Sequence, residues 1–151
     1  MISTNEIKNN DNSTIKLKRV ICIVPSLTEL LHYFGLDDEV VGITKFCVHP
    51  QAWFRQKKRV GGTKRIRRDA IRELSPDLII ANKEENTKED LEGWEDILVW
   101  VTEIKQMDDL FDVIESIGHL FNKKKKADQL IRTIEDKQKK YTLQKLSLIH
   151  I

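Results

Sequence analysis

The residues that could do chemistry are few, and their spacing decides which chemistry is open. Ser26 follows the apolar run Val20-Ile-Cys-Ile-Val24 and Pro25, where a hydroxyl can serve a ligand or cap a helix. No histidine and acid can be placed beside it to build a Ser–His–Asp arrangement. The four histidines, His32, His49, His119 and His150, show no HxxxH-type ligand spacing, so no metal centre is expected. Gly61-Gly62-Thr63-Lys64 has glycines and a lysine but lacks the full GxxxxGK[ST] phosphate-loop pattern and does not directly follow a strand. Glu84 and Glu85 are adjacent, and in an extended segment they point to opposite sides, which is no acid–base pair. Cys22 lies inside an apolar run and reads as a small hydrophobe. Cys47 follows the second apolar run, where it could be exposed; two cysteines make no disulfide framework. These residues support a binding cleft better than covalent catalysis.

The elements that must position these residues alternate strand and helix. Val20 to Val24 reads as a strand. Ser26-Leu-Thr-Glu29 reads as a capping box, with Leu27, Leu30, Leu31 and Phe34 at helical spacing and Gly35 placed for a left-handed cap. Val40 to Thr44 is a second strand. Residues 45–68 show no period and are read as a long irregular excursion, a kind of segment that is usually functional. A short helix over Asp69 to Leu74 leads through Ser75-Pro76-Asp77 into a third strand, Leu78 to Ala81. Thr87 caps another helix with Asp90 three residues on, and Ile97 to Val101 is the fourth strand.

After Glu103 the pattern is helical only. Met107, Leu110, Phe111, Ile114, Ile117 and Phe121 form one stripe, and Lys124 to about Tyr141 is a long helix with charged outer faces, a pattern suited to bridging. The fold class is therefore α/β: an open parallel sheet of about four strands, helices on both faces, then the start of a long interdomain helix. In such sheets ligands lie beyond the carboxyl ends of the strands, near the point where strand order reverses. That rule gathers Ser26, the Lys45–His49 loop, the polar run Asn82-Lys-Glu-Glu-Asn86, and Thr102-Glu103 at one edge, with Asn82 opening onto it.

Composition sets the outer bounds. The chain has 151 residues, 40% of them hydrophobic and 33% charged, enough for one packed domain. Net charge is +2, from 26 basic and 24 acidic residues, which gives no argument for a nucleic-acid partner, and none is expected. Basic clusters at residues 55–59, 64–68 and 123–126 read as solvated loops and helix ends. No apolar stretch reaches the roughly 18 residues of a transmembrane segment. Residues 1–18 are polar, hold no apolar core of about 7–15 residues for a signal peptide, and read as a mobile arm.

The ordered set RVICIVPSLTELLHYFGL, VVGITKFCVHP, RVGGTK, SPDLIIANKEEN and VWVTEI resembles the N-terminal lobe of the cobalamin/iron-siderophore class of ABC-transporter substrate-binding proteins, the helical-backbone metal receptors. The resemblance covers about Arg19 to Tyr141. It implies two α/β lobes joined by one long helix, with a metal chelate such as cobalamin, a ferric siderophore or haem clamped between them. It implies no intrinsic cofactor and no enzymatic activity. Implied ligand positions are Ser26, Phe46, His49, Gly62, Thr63 and Asn82; aromatic residues stack on cobalamin near the second-strand loop, which Phe46 and His49 fit, and near the Gly-Gly-Thr position, where Thr63 is not aromatic.

The same resemblance implies an ABC permease and ATPase as partners. Asp69 matches the acidic residue that docks on permease arginines, although a helix-start charge explains it equally. Relatives of this class work in the periplasm or at the cell surface. The missing signal leaves a cytoplasmic chelate-handling protein or an enzyme on the same sheet as the alternative. The expected organisation is an arm over 1–18, a lobe over 19–122, the start of the bridging helix over 123–145, and a non-native tail over 146–151. That tail, Leu146-Ser-Leu-Ile-His-Ile151, is what a transposase adapter used in DNA library preparation would encode.

Overall fold

The computed structural model describes residues 1–9 and 16–149. Six strands form one sheet: β1 (Ile2–Ser3), β2 (Val20–Cys22), β3 (Val40–Ile43), β4 (Lys58–Arg59), β5 (Leu78–Asn82) and β6 (Leu98–Thr102), in the order β1-β6-β5-β2-β3-β4. Every pairing is parallel. The four expected strands are the inner four. The two additional ones are edge strands of two residues each, too short to leave a periodic signal. Strand order runs outward from β2 through β3 to β4, then reverses as β5 enters on the other side of β2. The switch point therefore lies between β2 and β5.

Alternation along the inner strands builds two cores. Val20, Cys22, Leu78, Ile80 and Trp100 point to one face, under α2 (Pro25–Tyr33) and α6 (Met107–Leu120). Ile21, Ile23, Ile79, Ala81 and Val99 point to the other, where Ile71 of α4 (Arg68–Leu74) and Leu91 of α5 (Lys88–Leu91) cover them. All five residues of β5 are buried, as a strand covered on both faces requires. Asp77 sets the strand register: its carboxylate accepts the backbone N–H groups of Lys18 and Arg19 at 2.9 and 3.0 Å, while Arg19 Nε donates to the Leu74 carbonyl at 2.7 Å. The start of β5 is thereby tied to the start of β2.

Several expectations are corrected. Helix α2 begins at Pro25, with Val24 as its N-cap and no side-chain cap bond. Proline's fixed φ suits the first helical position, so Ser26 falls inside the helix and is exposed instead of capping it. Gly35, at φ +73°, does end that helix as expected. The 45–68 excursion contains α3 (Gln51–Gln56), anchored by the buried Trp53, whose Nε1 donates to Asp37 at 2.8 Å. Residues 2–9 are also ordered rather than a loose arm. Ile2 and Ser3 pair with Trp100 and Val101, Ile7 of α1 (Thr4–Asn9) is buried, and Lys8 bridges Asp112 and Glu115 of α6. Two isoleucines among polar residues are enough to dock this segment, yet too sparse to show a period. Positions 10–15 of that arm lie outside the described residues.

Helix α7 (Lys124–Ile149) has 26 residues, about 39 Å at the α-helical rise. Ala127 is buried against Gly118, where an added Cβ would stand 2.7 Å from the alanine methyl, so α6 and α7 cross closely. Leu130, Ile131 and Ile134 rest on the core. Beyond them Tyr141, Leu143, Leu146 and Leu148 are exposed. The helix runs through 146–149 of the expected tail, and positions 150 and 151 lie outside the described residues.

Candidate ligand-binding edge

The carboxyl ends of β2, β3, β5 and β6 carry four loops, each shaped by local bonds. After β3, Cys47 N–H donates to the Thr44 carbonyl at 3.1 Å, closing a turn, and Thr44 Oγ1 accepts from Phe46 N–H at 3.3 Å. Cys47 is buried, not exposed, because the turn tucks its sulfur against the hydroxyls of Thr28 and Thr44, both at 3.2 Å. The same turn throws Phe46 outward, leaving it 53% exposed. Cys22 is fully buried and its thiol is pushed up to about 12, chiefly by desolvation and then by nearby Cys47. It stays a neutral thiol at physiological pH and is no nucleophile.

Gly61 and Gly62 make the next loop. Gly61 has φ +106°, and a Cβ there would lie 2.5 Å from the Arg65 carbonyl, so the hairpin that returns through Ile66 requires glycine. Gly62 forms a floor beneath Phe46: a Cβ on it would meet the ring at 3.3 Å. Lys45 Nζ lies 5.1 Å from the centre of the same ring. An exposed aromatic ring thus stands over a glycine with a cation beside it.

The two asparagines of the polar run at the end of β5 are internal scaffolding. Asn82 is only 8% exposed; its Nδ2 donates to Thr102 Oγ1 at 3.2 Å, and its Oδ1 accepts Glu84 N–H at 2.8 Å. Thr102 Oγ1 donates in turn to the Ala81 carbonyl at 2.8 Å. Asn86 Oδ1 accepts Asn82 N–H at 2.8 Å, and Asn86 Nδ2 donates to the Thr63 carbonyl at 2.7 Å. The two asparagines therefore tie the β5 loop to β6 and to the Gly61–Ile66 hairpin. Neither role could be read from residue type alone.

Residues 83–85 form a turn rather than an extended segment, so Glu84 and Glu85 both line one groove instead of pointing apart. The groove has a volume of about 600 Å³, and Ser26, Glu29 and Asn82 also line it. Its apolar lining runs from Leu27, Leu30 and Ile104 to Leu130 and Ile134 of α7. Glu103 lies outside it, its carboxyl held below the usual range by hydrogen bonding to Lys105 at 2.8 Å, with Lys83 at 3.6 Å.

Of the expected site residues, Ser26 and Asn82 meet in this groove, while Phe46 and Gly62 meet at the β3 end. Thr63 is held by its carbonyl to Asn86, and His49 is exposed at the entry to α3. Glu84 and Glu85, expected at the rim but not as an acid–base pair, line the groove, and Glu29, expected only in a capping box, joins them there. Asp69 is exposed in the first turn of α4; its carboxyl is held below the usual range by the Ala70 N–H and then by Arg67, 3.4 Å away. Among the described residues no group of three or more His, Cys, Asp and Glu could hold a metal ion, and no helix is long and apolar enough to cross a membrane. What the edge offers is a noncovalent surface: one ring, one cation, one acidic groove.

The sequence model described as periplasmic binding protein matches residues 20–142. An uncharacterized ABC transporter substrate-binding lipoprotein of Bacillus subtilis, YvrC, is 27% identical over 134 residues, covering 84% of this chain and 42% of that protein. The vitamin B12-binding protein of Vibrio cholerae is 28% identical over 104 residues, covering 68% of this chain and 37% of its own. The crystal structure of the periplasmic vitamin B12 binding protein BtuF of Vibrio cholerae superposes with a TM-score of 0.75 at 23% identity, over 85% of this chain and 51% of that one. Petrobactin-binding protein YclQ from Bacillus subtilis does so at 0.69 and 28% identity, over 80% and 44%. The chain thus spans less than half the length of the curated relatives it matches. With this match across the sheet and into α7, the chain belongs to the periplasmic binding protein family.

Proposed function

We propose that this lobe is one jaw of a substrate-binding protein that captures a metal chelate, a cobalamin, ferric siderophore or haem, and delivers it to an ABC permease and its ATPase. It works outside the cytoplasm, carries no intrinsic cofactor and does no covalent chemistry. The exposed Phe46 ring on its Gly62 floor, at the strand edge where this topology binds ligands, is the observation that carries the reading. A planar chelate stacks on that ring, while Ser26, His49 and Thr63 offer polar contacts along the rim. Asn82 serves the site by holding its loop. Helix α7 leads away from the lobe toward the second jaw.

Calorimetry with cyanocobalamin, haemin and ferric siderophores tests the reading, using the full-length product of the gene that encodes this chain. Binding to one of them is expected, and binding to none contradicts it. Asp69 is proposed as the contact to the permease. Asp69→Arg is expected to lower permease-stimulated transport at least about tenfold, as loss of one well-placed ion pair would, with chelate affinity unchanged. Unaltered transport in that variant removes the docking role.

A further inference from the structure

Eight of the 26 basic residues and none of the 24 acidic ones fall in residues 55–68. The fold brings several of them to the β4 edge of the lobe, while Arg68, in α4, is half-buried on the Trp94 ring and donates to the Glu89 and Glu92 carbonyls. Lys58 and Arg59 form β4, the outermost strand beyond β3. The chain then doubles back: Gly61 bridges Ile66, Gly62 N–H donates to the Arg65 carbonyl at 2.9 Å, and Arg67 N–H donates to the Val60 carbonyl at 2.6 Å. This return sets Lys64, Arg65 and Arg67 alongside the edge strand.

These charges are largely unneutralised. Within the segment, the ion pair made among the described residues is Arg67 with Asp69, at 3.4 Å. Arg59 is laid on the Phe54 ring, with its guanidinium carbon 4.1 Å from the ring centre, and donates to the Phe54 carbonyl. Arg55, Lys58, Lys64 and Arg65 are exposed and pair with no carboxylate among the described residues. One or two lysines suffice to stop an edge strand from pairing with another chain; four exposed cations, unpaired among the described residues, exceed that need. Since the whole chain carries only +2, the rest of it is net negative, and Glu29, Glu84 and Glu85 line a groove that none of these basic residues enters.

We infer that this edge docks on the phosphate headgroups of an anionic bilayer and orients the lobe at the membrane. A row of exposed cations of which only Arg67 pairs with a carboxylate among the described residues fits a diffuse field of phosphates, and each cation near such a surface strengthens partitioning about fivefold. The inference does not depend on chelate binding, so either can fail without the other.

The test is co-sedimentation with vesicles of equimolar phosphatidylglycerol and phosphatidylcholine, against vesicles of phosphatidylcholine alone, with folding checked by circular dichroism. Binding to the anionic vesicles only, weakened by added salt, is expected. Lys64→Glu combined with Arg65→Glu is expected to lower partitioning by about thirtyfold or more. Lys124→Glu with Lys125→Glu, which makes the same change in net charge at the exposed start of α7, should leave most of the binding intact. Equal loss in both double variants, no preference for anionic vesicles, or binding to a soluble acidic protein in place of the vesicles would each overturn the inference.

Discussion

Replacing Trp100 with alanine is expected to lower the unfolding free energy by about 3–5 kcal/mol, the usual cost of emptying a large aromatic site in a core. Trp100 is fully buried at the centre of β6, paired with Ile80 on one side and Ile2 on the other, and its Nε1 donates to Thr4 Oγ1 at 3.1 Å. Alanine there would open a void beneath α6, remove the partner of Thr4 and loosen the strand to which β1 is attached. Single domains are stable by only about 5–15 kcal/mol, so this one change removes a large share. Urea denaturation followed by far-ultraviolet circular dichroism measures it. A loss under about 1 kcal/mol would contradict this packing, because a site that costs so little to empty is not close-packed.

The second large effect concerns binding and leaves the fold alone. Phe46→Ala is expected to weaken chelate binding by about ten- to a hundredfold, or 1.4 to 2.7 kcal/mol, the scale of one stacked aromatic with its buried area. Stability should hardly move, because the ring is half exposed and the turn beneath it is closed by Thr44 and Cys47, not by Phe46. The two variants thus separate the sheet that supports the edge from the edge itself. Calorimetry on Phe46→Ala that gives the parent affinity would remove the ring from the site.

The inner strands were legible because both faces are covered: Leu78 to Ala81 and Val20 to Val24 are continuous apolar runs, which only a doubly buried parallel strand tolerates in so short a length. Helices α6 and α7 were legible from their apolar stripes. What escaped was built from single residues or from backbone contacts. β1 and β4 have two residues each, and α3 is held by one tryptophan. Ser26 lost its cap role because Pro25 takes the first helical position. Cys47 is buried by a turn whose hydroxyl partners, Thr28 and Thr44, lie on two different elements.

The expected site residues divide between two places on the strand edge, Ser26 and Asn82 in the groove and Phe46 and Gly62 at the β3 end. Sequence placed Asn82 facing a ligand, since a polar residue at the end of an apolar strand reads as solvent-facing. In the fold Asn82 is folded inward, bonded to Thr102 and to the backbone of Glu84. Side chains that bond to nearby backbone in turns compete with any outward role, and residue type does not reveal which wins. Glu84 and Glu85 were judged as if extended; the turn that Asn82 and Asn86 build places both on the groove instead.

The role proposed for this lobe, through its strand edge and its Phe46 platform, is noncovalent capture of a metal chelate. The most direct measurement is a calorimetric titration of the full-length gene product with cyanocobalamin, haemin and ferric siderophores, repeated on Phe46→Ala. Saturable binding to one of these chelates, weakened in the variant, is the predicted result. No heat of binding with any of them, or an affinity that Phe46→Ala leaves untouched, would contradict it.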